Sequence, residues 1–214
     1  MMDLEQSLRS GVRDLGLKLQ EQQYNLLMRY LELLQKWNKV YNLTSVRDPY
    51  EMLTHHVLDS LAAVTPLQRH VLESQAKTLL DVGSGGGLPA VVFAICLPEL
   101  QVSCVDTVGK KAAFIQQVAA GLGLKNLRGI HARVEHLEQQ FDVVSCRAFA
   151  SLADFTNWSL NTLKEQGVWL AMKGKEPLDE IAELPESVVV FHVEQLQVPL
   201  LDAQRCIVWM RKKV

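Results

Sequence analysis

Between Lys77 and Ala90 the chain reads KTLLDVGSGGGLPA. An apolar run, Leu79-Leu80, leads into Asp81; Gly83, Gly85, Gly86 and Gly87 then crowd together before Leu88-Pro89 opens an apolar segment. A strand, a tight turn and a helix start satisfy this pattern, because glycine reaches positive φ without steric cost and lets the backbone come close to a ligand. The free N–H groups of a following helix attract oxygens. Pro89 suits the first turn of that helix, where a missing N–H costs nothing. The stretch therefore predicts a bulky polar ligand seated on a strand-turn-helix unit.

Ahead of it the texture is helical. Leu4, Leu8, Val12 and Leu15 recur at helical spacing with Gly16 as a stop, and a longer helix is expected from Gln20 to Lys39. Its two apolar stripes, Tyr24-Leu27-Leu31-Leu34 and Leu26-Tyr30-Leu33-Trp37, make a face wide enough to pack against more than one neighbour. An irregular link through Asn42 and Thr44 precedes a third helix at Tyr50 to Val64, and a loop is expected over Thr65 to Ala76. His55 and His56 fall in the third helix; adjacent positions point about 100° apart on a helix, so packing rather than a shared metal is their expected role.

After Ala76 strands and helices alternate. Strands are expected at Thr78–Val82, Gln101–Asp106, Leu127–His131, Phe141–Cys146 and Val168–Lys173. The intervening helices are Leu88–Leu97, Gly109–Ala120, a short Val134–Glu138 and Leu152–Leu163, and Leu178–Leu184 precedes two β-rich runs, Ser187–Leu196 and Arg205–Met210. Strands separated by helices of this length form a parallel α/β sheet with right-handed crossovers. The last two strands lack a helix between them, so the final one is expected to run antiparallel. Residues 1–75 thus read as a helical extension packed on a core formed by residues 76–214, the two making one compact unit.

The 214 residues are 48% hydrophobic and 21% charged with a net charge of -2, the balance of a soluble folded protein. This near-neutrality gives no whole-molecule field for nucleic acid, so any RNA surface is local. No apolar run approaches a membrane span and the N-terminal MMDLEQSLRS lacks a secretory core, so a cytoplasmic protein is expected. Cys96, Cys104, Cys146 and Cys206 lack C-x-x-C spacing and are expected to be buried free thiols.

Nucleotides, dinucleotides, flavins and S-adenosylmethionine all use glycine turns. The nucleotide-triphosphatase pattern G-x-x-x-x-G-K-[ST] is missing, whereas Gly83, Gly85 and Gly87 after Asp81 fit G-x-G-x-G in register. S-adenosylmethionine presents an ammonium, a sulfonium and a ribose diol. Asp81 at the end of the first strand can help hold the ammonium, directly or through water, and Asp106 at the end of the second can accept both ribose hydroxyls. NAD also wants the second acid; the first tilts the reading toward S-adenosylmethionine and leaves an NAD-dependent oxidoreductase as the alternative.

The set WNKVYNLTSVRD, HHVLDS, DVGSGGGLP, VDTVGKK, RVE, SCRAFAS and AMKGK, spanning Trp37 to Lys175, resembles the RsmG (GidB) family of bacterial methyltransferases. Ala90 stands where that family's pattern has glycine, and Ser84 where threonine is common. The resemblance implies a class I, Rossmann-like methyltransferase fold of seven strands, mostly parallel with the last antiparallel, behind an N-terminal helical extension. It implies methyl transfer from S-adenosylmethionine to N7 of one guanosine, position 527, of 16S ribosomal RNA, without a metal. Carried over by motif, Gly83 and Leu88 on the first turn, Val134 and Glu135 after the third strand, and Arg147 after the fourth join Asp81, Gly85 and Asp106 at the cofactor.

Guanine N7 carries a free in-plane lone pair, so its methylation needs placement and desolvation rather than a general base. The Ser145-Cys146-Arg147-Ala148-Phe149 segment fits this, for it lacks the Asn/Asp-Pro-Pro-Tyr signature used on exocyclic amines. Cys146 follows Ser145 rather than the proline that precedes a nucleophilic cysteine in pyrimidine methyltransferases, and a buried thiol is expected. Arg147, at the carboxyl end of a central strand, is a substrate- or cofactor-positioning candidate, with a salt bridge to Asp142 or Asp154 as its structural alternative. Lys173 is expected to grip the RNA backbone and Phe149 to stack on the extruded base. A methyltransferase acting on another RNA, a small molecule or a protein, and a non-catalytic RNA-binding protein, share much of this pattern. The small net charge favours recognition within a small-subunit particle over naked RNA.

Overall fold

The computed structural model describes residues 3–213. Helix α1 (Leu4–Asp14) stops at Gly16, whose N–H bonds the Arg13 carbonyl in a left-handed cap. Helix α2 (Glu21–Tyr41) opens on a capping box in which Gln20 and Gln23 exchange side-chain and backbone bonds. It ends on Asn42, which adopts the left-handed conformation that asparagine tolerates. The third helix begins one residue early as α3 (Pro49–Met52), capped by the Asp48 carboxylate on the N–H groups of Tyr50 and Glu51. It widens into a π-helical turn, Leu53–Leu58, and continues as α4 (Asp59–Ala62).

The expected loop over Thr65 to Ala76 is instead helix α5 (Val64–Ser74). Pro66 occupies its first turn, where no intrahelical donor is required, so the helix accommodates it. The alternating part follows with β1 (Thr78–Val82), α6 (Ala90–Cys96), β2 (Gln101–Asp106), α7 (Gly109–Leu122) and β3 (Leu127–His131). Next come a single 3₁₀ turn at Val134–His136, β4 (Phe141–Arg147), α8 (Leu152–Trp158) and a second 3₁₀ turn at Leu160–Thr162. The chain then runs through β5 (Leu163–Lys173), α9 (Leu178–Ala182), β6 (Val188–Leu196) and β7 (Arg205–Lys212).

Two of the boundaries that differ from expectation shape the surroundings of the turn and of β5. Helix α6 starts two residues after Leu88, because Gly87 and Leu88 still bond the Ser84 carbonyl and belong to the turn. Helix α8 ends at Trp158, where the Ser159 hydroxyl bonds the Phe155 carbonyl and accepts from the Trp169 indole, so Leu163 already pairs with Phe141 in the sheet.

The seven strands lie in the order β3-β2-β1-β4-β5-β7-β6. The first five are parallel, and β7 runs antiparallel between β5 and β6, so the antiparallel strand expected from the missing crossover is present. Side chains alternate across the sheet. Leu79, Val102, Val143 and Leu170 face α1, α2, α5, α6 and α7 in one apolar cluster, to which Leu8, Leu31 and Leu58 of the N-terminal helices belong. Leu80, Val82, Val144 and Trp169 face the other way, with Leu152 and Phe155 of α8. Fully burying each such side chain contributes about 1.5–3 kcal/mol.

The topology reverses between β1 and β4, and the register sets Val82 beside Val105 on one side and Cys146 on the other. The carboxyl ends of β1, β2 and β4 are thereby level at the switch point, where ligands bind in open α/β sheets.

Candidate active site at the switch point

The glycine turn leaves β1 at Gly83, whose N–H bonds the Val105 carbonyl at 2.9 Å. Gly83, Gly85 and Gly87 all have positive φ, which is why the turn is built of glycine. The turn is anchored from beneath and behind. Ser84 Oγ donates to the Asp81 carbonyl at 2.9 Å, and the buried Tyr30 hydroxyl of α2 donates to the Gly86 carbonyl at 2.6 Å. Leu88 is 5% exposed and packs into the core behind the turn.

Asp106 closes the other side. Its Oδ2 accepts from the Gly85 N–H at 3.2 Å and its Oδ1 from Val108 N–H at 2.9 Å, with Lys111 Nζ 3.7 Å away. The carboxylate thus faces two backbone donors and retains lone pairs. Between these walls lies a cleft of about 480 Å³ lined by Gly83, Asp106, Lys111, Val134, Glu135 and Phe149, with Trp158 at its side, a size ordinary for a small-molecule site. The Phe149 and Trp158 rings meet edge-on at 5.9 Å, and Ala148 before them has φ +50. A Cβ added at Gly83 would run into the Phe149 ring. Only glycine at position 83 tolerates that ring.

Asp81 does not line the cleft. It is fully buried beneath the turn, where Ser145 Oγ donates to Oδ1 at 2.7 Å. Oδ2 has no partner among the described residues. Burial pushes its carboxyl up to about 7, against the lowering pull of the Ser145 and Ser84 hydroxyls. Of the two expected routes from Asp81 to a ligand, direct or through water, the direct one is closed in this arrangement, and what Asp81 offers is an unsatisfied acceptor one layer below the turn.

Arg147 and Lys173 also stand outside the cleft. The structural partner of Arg147 is neither Asp142 nor Asp154: Asp142 is occupied by Lys77, Thr78 and Lys164, and Asp154 by Ser151. Arg147 Nη1 instead donates to Asp59 at 2.8 Å and to the His55 carbonyl at 2.9 Å. His56 lies beside it, with Nδ1 3.4 Å from Arg147 Nη2 and Nε2 2.7 Å from Thr44 Oγ1. Burial, then the Arg147 charge, pull the His56 imidazole down to about 4. An imidazole that faces an arginine donor through Nδ1 is a neutral acceptor there.

Lys173 spends its ammonium on Glu180, at 2.7 and 3.1 Å, and on the Ala150 carbonyl at 3.3 Å. Glu180 also accepts from Leu152 N–H at the start of α8, so the pair fixes the loop that carries Phe149. Cys146 is 2% exposed and its thiol is pushed up by burial and then by the Asp81 charge. Inert thiols are buried ones. Cys104 and Cys206 are buried too, while Cys96 is only partly so.

Sequence reasoning missed Asp59, Arg205, Lys111 and Trp158. Asp59 carried a signal, an acid on an otherwise apolar helical run. Trp158 carried none, since its placement depends on α8 ending one residue later.

A family model described as rRNA small subunit methyltransferase G, GidB, matches residues 23–208. The chain belongs to this family. Ribosomal RNA small subunit methyltransferase G of Acidovorax sp. (strain JS42) is 69% identical over 214 residues, covering 97% of this chain and 95% of that protein. The protein of the same description from Polaromonas naphthalenivorans (strain CJ2) is 61% identical over 218 residues, covering 99% of each. Among solved structures, a ribosomal protein L11 methylase from Lactobacillus delbrueckii subsp. bulgaricus superposes with a TM-score of 0.56 at 16% identity, over 73% of this chain and 79% of that one. TrmN from Thermus thermophilus does so with a TM-score of 0.53 at 17% identity, over 75% and 53%. At such identities these two establish the fold, the class I methyltransferase sheet. The family member described here places its glycine turn and Asp106 at the same sheet edge that its topology marks for ligands. Among the described residues no helix is long and apolar enough to cross a membrane, and no cluster of metal-ligating side chains occurs.

Proposed function

We propose that this protein transfers the methyl group of S-adenosylmethionine to N7 of one guanosine, position 527, of 16S ribosomal RNA, presented in a small-subunit particle in the cytoplasm. The observation that carries the reading is the cleft itself, with Gly83 and Asp106 on its wall and Asp106 hydrogen-bonded to the glycine turn, in a chain of this family.

The residues present fit the cofactor. Asp106 keeps acceptor capacity for a ribose diol, Gly83 brings the backbone of the turn to the cleft wall, and Val134 with Glu135 forms the wall beyond β3. The orphaned Oδ2 of Asp81 supplies an acceptor on the ammonium side, reached through water because the carboxyl is enclosed. When bound, S-adenosylmethionine supplies an electrophilic sulfonium methyl.

The acceptor needs no base. Guanine N7 is already a lone-pair nucleophile, so the chain's contribution is to orient the base and exclude water. Phe149 and Trp158 form an apolar wall for that base at the mouth of the cleft. Arg147 lies outside the cleft and serves the substrate side, where its donors would meet O6 or a phosphate rather than N7. Lys173, neutralised by Glu180, holds the Phe149 loop instead of gripping the RNA.

Small subunits from cells lacking this gene, incubated with the protein and labelled S-adenosylmethionine, should gain one N7-methylguanosine in 16S RNA, mapped by chain scission at the modified base. Label in another molecule, or an unchanged RNA, would overturn the assignment. S-adenosylmethionine should raise the melting temperature and NADH should not; the reverse would make the protein an oxidoreductase.

A further inference from the structure

Asp59 lies on α4, in the helical part ahead of β1, with its side chain 3% exposed. Its two oxygens serve two different strands. Oδ2 accepts from Arg147 Nη1 at 2.8 Å, at the carboxyl end of β4, and Oδ1 accepts from Arg205 Nε at 2.7 Å, at the start of β7. Arg147 is further fixed by the His55 carbonyl and by His56, so all of its partners come from the same stretch of the N-terminal helices.

The charge balance is uneven. A guanidinium stays protonated, so one carboxylate shared by two of them leaves this hydrogen-bonded group with a positive charge in excess; neutral His56 adds nothing to offset it, and Asp81, the further acid that feels Arg147, is driven toward its uncharged form by burial. Both arginines are partly exposed, at 17% and 23% of their side chains, while the acid between them is not.

We propose that Asp59 is a positioning residue for methyl transfer, holding the Arg147 guanidinium at the end of β4 so that the excess charge of the Arg147–Asp59–Arg205 group meets a phosphate of the RNA substrate. The proposal rests on Arg147 acting on the substrate side. Asp59 touches neither the cofactor cleft nor the reacting atoms and works through Arg147. Its carboxylate restricts a long, rotamer-rich side chain, so an RNA phosphate finds the fork already oriented.

The test compares Asp59→Asn, Asp59→Glu, Arg147→Ala and the Asp59→Asn/Arg147→Ala pair. Steady-state transfer to unmethylated small subunits is read beside S-adenosylmethionine affinity measured by calorimetry. Asp59→Asn keeps the shape and removes the charge; it should lower kcat/KM for the ribosomal substrate tenfold or more, while cofactor affinity stays within threefold. Asp59→Glu should fall between wild type and the asparagine variant, and the double variant should be no more than threefold worse than Arg147→Ala alone, because the two act as a unit.

An asparagine variant with full kcat/KM beside an impaired Arg147→Ala would overturn the proposal and leave the Arg147 reading standing. So would a double variant showing the product of the single losses, or a cofactor affinity that falls as far as the RNA step. Full transfer by Arg147→Ala would instead remove the Arg147 reading, and Asp59 with it. Should the asparagine variant unfold, the glutamate variant decides: a loss confined to the ribosomal substrate supports the proposal and wild-type kcat/KM overturns it.

Discussion

Asp81 and His56 are both driven away from their charged forms by burial, and the consequences for stability have opposite sign. Asp81 titrates near 7 in the folded chain and near 3.8 when unfolded. Over that interval the folded state holds a proton that the unfolded state has released, so stability falls as pH rises from about 4 to about 7. His56 titrates near 4 when folded and near 6.5 when unfolded. There the unfolded state holds the extra proton, so stability rises over nearly the same window. The two slopes oppose one another, and His70, also pulled down by burial, adds to the rising one, so the melting temperature of the ligand-free protein should climb with pH less steeply than that of Asp81→Asn. Asp81→Asn should unmask the histidine and melt higher as pH rises; His56→Gln should unmask the acid and melt lower. Melting curves at pH 4.5, 5.5 and 6.5 decide this, and parallel profiles for the two variants would refute it. Cys146, enclosed and with its thiol pushed up, makes a simpler prediction. Cys146→Ala should retain methyl transfer within about threefold and lose roughly 1 kcal/mol of stability to the small cavity, as read by urea titration.

Helix α7 approaches β3 over Gly129, where an added Cβ would lie 2.5 Å from the Ala112 carbonyl and 3.1 Å from Ile115 Cβ. The obstacle is backbone, which cannot rotate aside. Gly129→Ala should therefore cost about 1–3 kcal/mol, the usual penalty of overpacking, with a lower urea midpoint and an unchanged slope. Most elements were legible because period and punctuation agreed: the Leu4, Leu8, Val12 stripe before Gly16, or the short apolar runs ending at Asp81 and Asp106. Helix α5 was not, because Pro66 reads as a breaker unless its place in the first turn is known. At the site, Asp106 and Gly83 were legible from local signals, an acid at a strand end and a glycine turn, while Val134 and Glu135 came only through the family resemblance; all four line one cleft. The enclosure of Asp81 and the choice of Asp59 over Asp142 by Arg147 depend on packing between segments far apart in sequence. No local pattern carries that.

At the scale of the molecule, the N-terminal helices and one face of the sheet share a single apolar cluster. Trp37 of α2 packs against Phe114 of α7 at 5.6 Å, and Trp169 lies fully buried in the cluster on the opposite face. Variants keeping only Trp37 or only Trp169 should therefore report coincident urea transitions, the signature of one cooperative unit; separated midpoints would divide the helical part from the sheet. The last strand is tied to the first helices. Arg205 of β7 meets Asp59 across 146 residues of chain, a contact that exists only when both ends of the fold are in place. The charged group beside Arg147 is therefore complete only in the whole molecule, and a chain cut short before β7 would keep the carboxyl ends of β1, β2 and β4 while leaving Asp59 with one of its two partners.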